Sequence, residues 1–170
     1  MTDARPLYPL VFIGPMGAGK TRIGRRVAKA LGVPFLDTDK LVVAEHGPIA
    51  DIFETRGEPA FRELERDAVA AALTENAVVS LGGGAVLHPD TRDALASATV
   101  VLLTVTAESV AARINTTKRP LLKNGTGDWQ RIYDERRAIY EALATTTFDT
   151  SNEPIERIAE NITTWARGRS

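Results

Sequence analysis

The run Gly14-Pro15-Met16-Gly17-Ala18-Gly19-Lys20-Thr21 constrains this chain more than any other stretch. It fits the pattern G-x-x-x-x-G-K-[ST]. It also lies where such a loop functions, after the apolar run Pro9 to Ile13 and at the start of a helical pattern. Glycines let the backbone wrap closely, so its N–H groups turn inward and form an anion cradle. The N-terminus of the following helix adds partial positive charge. In this arrangement Lys20 reaches the β- and γ-phosphates, and the Thr21 hydroxyl ligates Mg²⁺. A nucleoside triphosphate is the expected ligand; the alternative is a Gly-rich turn joining strand to helix.

The rest of the chain alternates short apolar runs with helical patterns, which predicts a parallel sheet with helices on both faces. Strands are expected at Pro9–Ile13, Pro34–Leu36, Val78–Leu81, Thr99–Val105 and Thr147–Phe148, so the sheet has five. Lys20–Leu31 reads as a helix, with Ile23, Val27 and Leu31 one turn apart and Gly32 as its stop. Helical pattern resumes near Lys40, breaks at Gly47-Pro48 and again at Gly57, and then runs on with Pro59 in its first turn. Phe61, Leu64, Ala68 and Ala72 are its expected buried face. Further helices are expected over Asp90–Ala96, Glu108–Ile114, Asp128–Ala144 and Pro154–Arg167. The stretch from Asn115 to Gly127 has no period and reads as a long loop.

Composition narrows the class. At 170 residues, 44% hydrophobic and 25% charged, residues 1–170 read as one globular domain with no internal linker. The absence of Cys excludes disulfides, thiolate metal sites and a cysteine nucleophile. A formal net charge of −1 gives no global attraction to nucleic acid or membrane. No apolar run approaches the roughly 18 residues of a membrane span, and Met1 to Tyr8 holds no signal core, so a cytoplasmic protein is expected; that it is a monomer is a separate expectation. A guanine-nucleotide switch would carry Asn-Lys-x-Asp and Asp-x-x-Gly; here no Asn precedes Lys and no Asp has Gly three residues on. A small kinase is the favoured class.

Several residues after the loop carry suitable chemistry. Asp37-Thr38-Asp39 follows the second strand, at the carboxyl edge where ligands of open α/β sheets bind. One acid could hold a water of the Mg²⁺ shell and the other accept a hydroxyl proton; either could instead cap a helix. Arg62 and Glu65, at i and i+3, read as a weak surface ion pair. Gly82-Gly83-Gly84 after a buried strand indicates close approach of a ligand, or a bend that side chains would block. Arg119-Pro120-Leu121-Leu122 lies in the long loop, where Arg119 could close over the γ-phosphate. Arg136 and Arg137, with Tyr140 one turn on, read as a basic patch.

Taken in order, these motifs resemble the shikimate kinase family from about Leu10 to Asp149. The triple glycine, Phe61-Arg62-x-x-Glu65 and Arg119-Pro120-Leu121-Leu122 discriminate far better than the phosphate loop alone. The resemblance implies a P-loop kinase fold of the nucleoside-monophosphate-kinase type, with strand order 2-3-1-4-5. It implies ATP-dependent phosphorylation of the shikimate 3-hydroxyl, with Mg²⁺. It further implies that Asp39 contacts substrate hydroxyls, that Arg62 and Arg136 grip the substrate carboxylate and that Gly83 adds a backbone contact. Gly17, Ala18, Gly19, Lys20, Thr21 and Arg22 would hold the nucleotide, with Thr21 binding Mg²⁺ directly and Asp37 through water. The substrate-binding helices would span about 40–73, and a lid of about 115–127 would carry Arg119 to the phosphates. Two departures stand out. The stretch Asp149 to Pro154 lacks the Arg often found there near adenine, leaving Arg113 as the better candidate. The Pro-Leu often found before Tyr140 is also missing, so Arg137 competes with Arg136.

Overall fold

The computed structural model describes residues 6–113 and 126–169, so Arg119 and nearly all of the expected lid lie outside the described residues. Strand β1 (Leu10–Ile13) is buried along its whole length, as a central strand covered on both faces must be. It pairs in parallel with β3 (Val78–Ser80) on one side and β4 (Thr99–Thr104) on the other. Strand β2 (Phe35–Asp37) lies outside β3, and β5 (Thr146–Asp149) outside β4. The order β2-β3-β1-β4-β5, all parallel, is the one the family resemblance implied. Leu10 sits opposite both Val78 and Thr99, which fixes the register at the centre.

Helix α1 (Lys20–Leu31) buries Ile23, Val27 and Ala28 and ends at Gly32, whose N–H returns to the Ala28 and Lys29 carbonyls. Helix α7 (Ile155–Arg167) packs along α1 with Ile158, Ala159, Ile162 and Ala166 turned inward. Helices α2 (Thr38–His46) and α3 (Ile49–Ala72) pack on each other. Val42, Ile52 and Phe61 form a small apolar cluster between them, separate from the main core, with the Phe53 and Phe61 rings 5.0 Å apart. The expected break at Gly57 is a kink at φ 83°, ψ 165° inside α3. Helices α4 (Pro89–Leu95), α5 (Ala107–Ala111) and α6 (Thr126–Leu143) complete the set among the described residues. A short 3₁₀ turn at Ala85–Leu87, too brief to show a period, follows the triple glycine. No helix among the described residues is long and apolar enough to cross a membrane.

Two local expectations are corrected. Strand β2 runs one residue further than its apolar run, so Asp37 ends it. Helix α3 buries Phe61, Glu65, Val69 and Ala72, leaving Leu64 and Ala68 only partly covered. A charged residue thus occupies the buried stripe.

Candidate active site

The connection after β1 leads to β2 at one edge of the sheet and that after β4 leads to β5 at the other, and in such sheets ligands bind outside the carboxyl ends of the strands where the direction reverses. A cavity of about 600 Å³ opens there, within the range of roughly 300–1,000 Å³ usual for small-molecule sites. Its wall joins the Gly14–Thr21 loop to Asp37, Asp39, Arg62, Gly82 to Gly84, Arg113 and Arg136.

At the loop end, Gly14 has φ +142°, and a side chain there would overlap the Leu103 carbonyl of β4. Only glycine lets the chain leave the strand so close to its neighbour. Lys20 Nζ donates to the Gly14 and Pro15 carbonyls at 2.7 and 3.0 Å, so its ammonium is tucked into the loop. Thr21 Oγ1 donates to Asp37 Oδ2 at 3.1 Å, while Asp37 Oδ1 accepts from the Asp39 and Lys40 N–H groups. Asp37 therefore caps α2 with one oxygen and faces Thr21 with the other. Gly17, Gly19 and the exposed Arg22 line the cavity; Ala18 is buried beneath, its N–H reaching the Pro15 carbonyl at 3.3 Å. Arg113 spans the Gly17 and Thr150 carbonyls, each at 2.9 Å.

The oxygen donors fit Mg²⁺. Among the described residues no group of three or more His, Asp or Glu could cage a metal. Mg²⁺ needs no cage: it keeps several waters and takes one or two protein oxygens beside the substrate phosphates. Thr21 and Asp37, already within hydrogen-bond distance of each other, supply that kind of partial set.

The opposite end is built around Arg62. Its Nη1 donates to Glu65 Oε1 at 2.8 Å, and its Nη2 and Nε donate to Glu58 Oε2 at 3.0 and 3.2 Å. Glu65 is 2% exposed, and its Oε2 has no hydrogen-bond partner. Burial pushes its carboxyl up to about 7; Arg62 opposes the rise, Asp39 adds to it and Arg136 opposes it. Burial likewise pushes the Tyr140 phenol up to about 12, and its O–H donates to the Gly83 carbonyl at 2.5 Å.

Two of the three glycines, Gly82 and Gly84, make this convergence possible. A Cβ on Gly82 would sit 2.6 Å from Asp39 Oδ1 and 2.9 Å from Glu65 Oε2, and one on Gly84 would collide with the Arg62 guanidinium. The neighbours that exclude side chains here are the protein's own charged groups. Arg136 is 5% exposed and lines the cavity, whereas Arg137 pairs with Asp134 at 2.9 Å and lies over the Tyr133 ring. The two arginines face different ways, and Arg136 is the one in the site.

The i, i+3 spacing of Arg62 and Glu65 alone reads as a surface pair, whereas the family resemblance puts Arg62 in the site; both are largely buried, with side chains 13% and 2% exposed. Phe61, Glu65, Val69 and Ala72 recur at helical spacing, and that pattern was the available signal. In the sequence Tyr140 is marked only by its place one turn from Arg136, and Trp129, whose indole N–H donates to the Met16 carbonyl at 2.7 Å, has no local signal.

Comparison with known proteins gives one family. The family model described as shikimate kinase matches residues 16–167. A shikimate kinase from Mycobacterium avium is 49% identical over 146 residues, covering 83% of each chain. One from Saccharopolyspora erythraea is 46% identical over 162 residues, covering 90% of this chain and 93% of that one. The solved structure of an Acinetobacter baumannii shikimate kinase in complex with shikimate superposes with a TM-score of 0.89 at 31% identity, covering 95% of this chain and 93% of the other. A gluconokinase from Sinorhizobium meliloti, at 19% identity and a TM-score of 0.62, shares the fold alone. With phosphate loop, carboxylate pair, arginines and triple glycine drawn into one cavity, and with relatives of this similarity along most of its length, the chain belongs to the shikimate kinase family.

Proposed function

We infer that this chain transfers the γ-phosphoryl group of ATP to the 3-hydroxyl of shikimate, giving shikimate 3-phosphate and ADP on the route to chorismate and the aromatic amino acids. One observation carries the reading: Arg62, Arg136 and Asp39 share a single cavity with Lys20 and Thr21. An anionic polyol needs guanidinium forks for its carboxylate and an acid for its hydroxyl, and both lie beside a phosphate loop.

In this reading Arg62 and Arg136 hold the carboxylate, and the Gly83 backbone and Asp39 orient the ring. The helices of about 40–73 form the substrate side. Asp39 accepts the 3-hydroxyl proton as the oxygen forms its bond to the γ-phosphorus and the bond to ADP breaks. Gly17, Ala18, Gly19, Lys20, Thr21 and Arg22 hold the phosphates, and Lys20 exchanges its loop carbonyls for phosphate oxygens. Arg113 lies toward the base. Thr21 directly, and Asp37 through water, would hold Mg²⁺, which would supply positive charge to offset that developing on the phosphates. Arg119, outside the described residues, meets the γ-phosphoryl charge in the transition state. The enzyme works as a cytoplasmic monomer on a small molecule, without nucleic acid or membrane.

The test is ADP release with shikimate, quinate, gluconate and nucleoside monophosphates offered in parallel. Shikimate should give by far the highest kcat/KM. Equal turnover of gluconate would shift the assignment to a broader sugar-acid kinase, and no ADP with any acceptor would end it.

A further inference from the structure

Four backbone carbonyls of the phosphate loop accept hydrogen bonds from side chains. Those of Gly14 and Pro15 are taken by Lys20 Nζ, from inside the motif. Those of Met16 and Gly17 are taken from far away in sequence, by the Trp129 indole at 2.7 Å and the Arg113 guanidinium at 2.9 Å. Trp129 is 2% exposed and braced by the Tyr133 ring at 5.2 Å. An indole N–H is donor only, and when buried it needs an acceptor. Here the acceptor is the Met16 carbonyl.

We propose that Trp129 and Arg113 are positioning residues for the phosphate cradle, each pinning one peptide of the loop by its carbonyl. A peptide unit is planar and trans, so a carbonyl held on one side turns the next N–H to the other. Held by Trp129, the Met16–Gly17 peptide turns its N–H away from the indole, and Gly17 lines the cavity. The Gly17–Ala18 peptide is held at both ends, by Arg113 at the oxygen and by the Pro15 carbonyl at the nitrogen. The second nitrogen of Arg113 reaches Thr150, just past β5, so one guanidinium ties the loop to the opposite rim of the nucleotide end. Without the pins these peptides can rotate and present carbonyl oxygens to the phosphates, which repels where an N–H attracts.

This rests on the reading of the loop as the ATP site, and the experiment separates the two. ADP and shikimate binding are measured by calorimetry, each alone, on the wild type and on Trp129→Phe, which keeps a buried ring and removes the N–H. The wild type should bind ADP. The variant should bind ADP about tenfold more weakly, the size expected for one hydrogen-bond donor to an anion. It should bind shikimate within about twofold of the wild type, because the far end of the cavity does not depend on the Met16 peptide. Unchanged ADP affinity, or an equal loss for both ligands, would overturn the pin. A wild type that binds no ADP would remove the ATP reading and the pins with it. Should Trp129→Phe fail to fold, Arg113→Lys carries the test, with inorganic pyrophosphate as competitor because it has no base. Weaker pyrophosphate binding supports the pin; weaker ADP binding with unchanged pyrophosphate would make Arg113 a base contact only.

Discussion

The Glu65 carboxyl is buried with one oxygen on Arg62 and the other without a hydrogen-bond partner. Burial raises its pKa from the ordinary 4.5 to about 7. A raised folded-state value means that the protonated form is favoured on folding. The contribution is fully present below about pH 4.5 and is lost as the pH rises through about 7. The span corresponds to about 3 kcal/mol. Urea unfolding of the ligand-free protein should therefore show the wild type losing stability relative to Glu65→Gln between those pH values, and parallel curves would refute it. The substrate clamp is tested beside it. Arg136→Ala should weaken shikimate binding by about 10- to 150-fold, the worth of a charged hydrogen bond, with little change for ATP. A shikimate analogue with an amide in place of the carboxylate should bind the wild type poorly and the variant about as well as shikimate. Equal wild-type affinity for acid and amide would remove the clamp. At this scale the phosphate loop was legible because strand, glycines, Lys20 and helix are contiguous. Glu65 was not, because its burial depends on Asp39, Arg136 and the triple glycine, which the fold brings in from distant positions.

Helix α3 carries Arg62 and Glu65 and must turn at Gly57 to present them, with φ 83° and ψ 165°. That region of backbone space is essentially reserved for glycine and costs other residues about 1–3 kcal/mol. Gly57→Ala should lower stability by that amount and raise the KM for shikimate more than that for ATP, since the Val42, Ile52 and Phe61 cluster belongs to the helices proposed to form the substrate side. Unchanged melting temperature and unchanged KM values would show that the kink carries neither strain nor function. The break was readable in the sequence because a glycine before Pro59 interrupts the helical period. The end of β2 was less so: Asp37 is polar, yet it completes the strand because the next turn requires it to cap α2.

The whole sheet explains why distant motifs meet. β1 sits between β3 and β4, so the loop after β1 and the glycines after β3 leave adjacent strand ends. Alternating runs predicted strands and helices, but strand order came only with the family resemblance, because parallel pairing is decided by contacts between distant segments. Arg119 lies outside the described residues and is tested by its kinetics. Arg119→Ala should cut kcat strongly while the ATP dissociation constant moves only a few-fold, as for a group that meets charge developing in the transition state; unchanged kcat with a large loss of ATP affinity would make it a nucleotide-binding residue. The central claim is that one cavity passes a phosphoryl group from ATP to shikimate. Phosphorus and proton NMR of the wild-type enzyme with ATP, Mg²⁺ and shikimate tests it most directly. One ADP should form for each shikimate consumed, with a single phosphate ester at the 3-oxygen. ADP accompanied by free phosphate, or an ester at another hydroxyl, would contradict it.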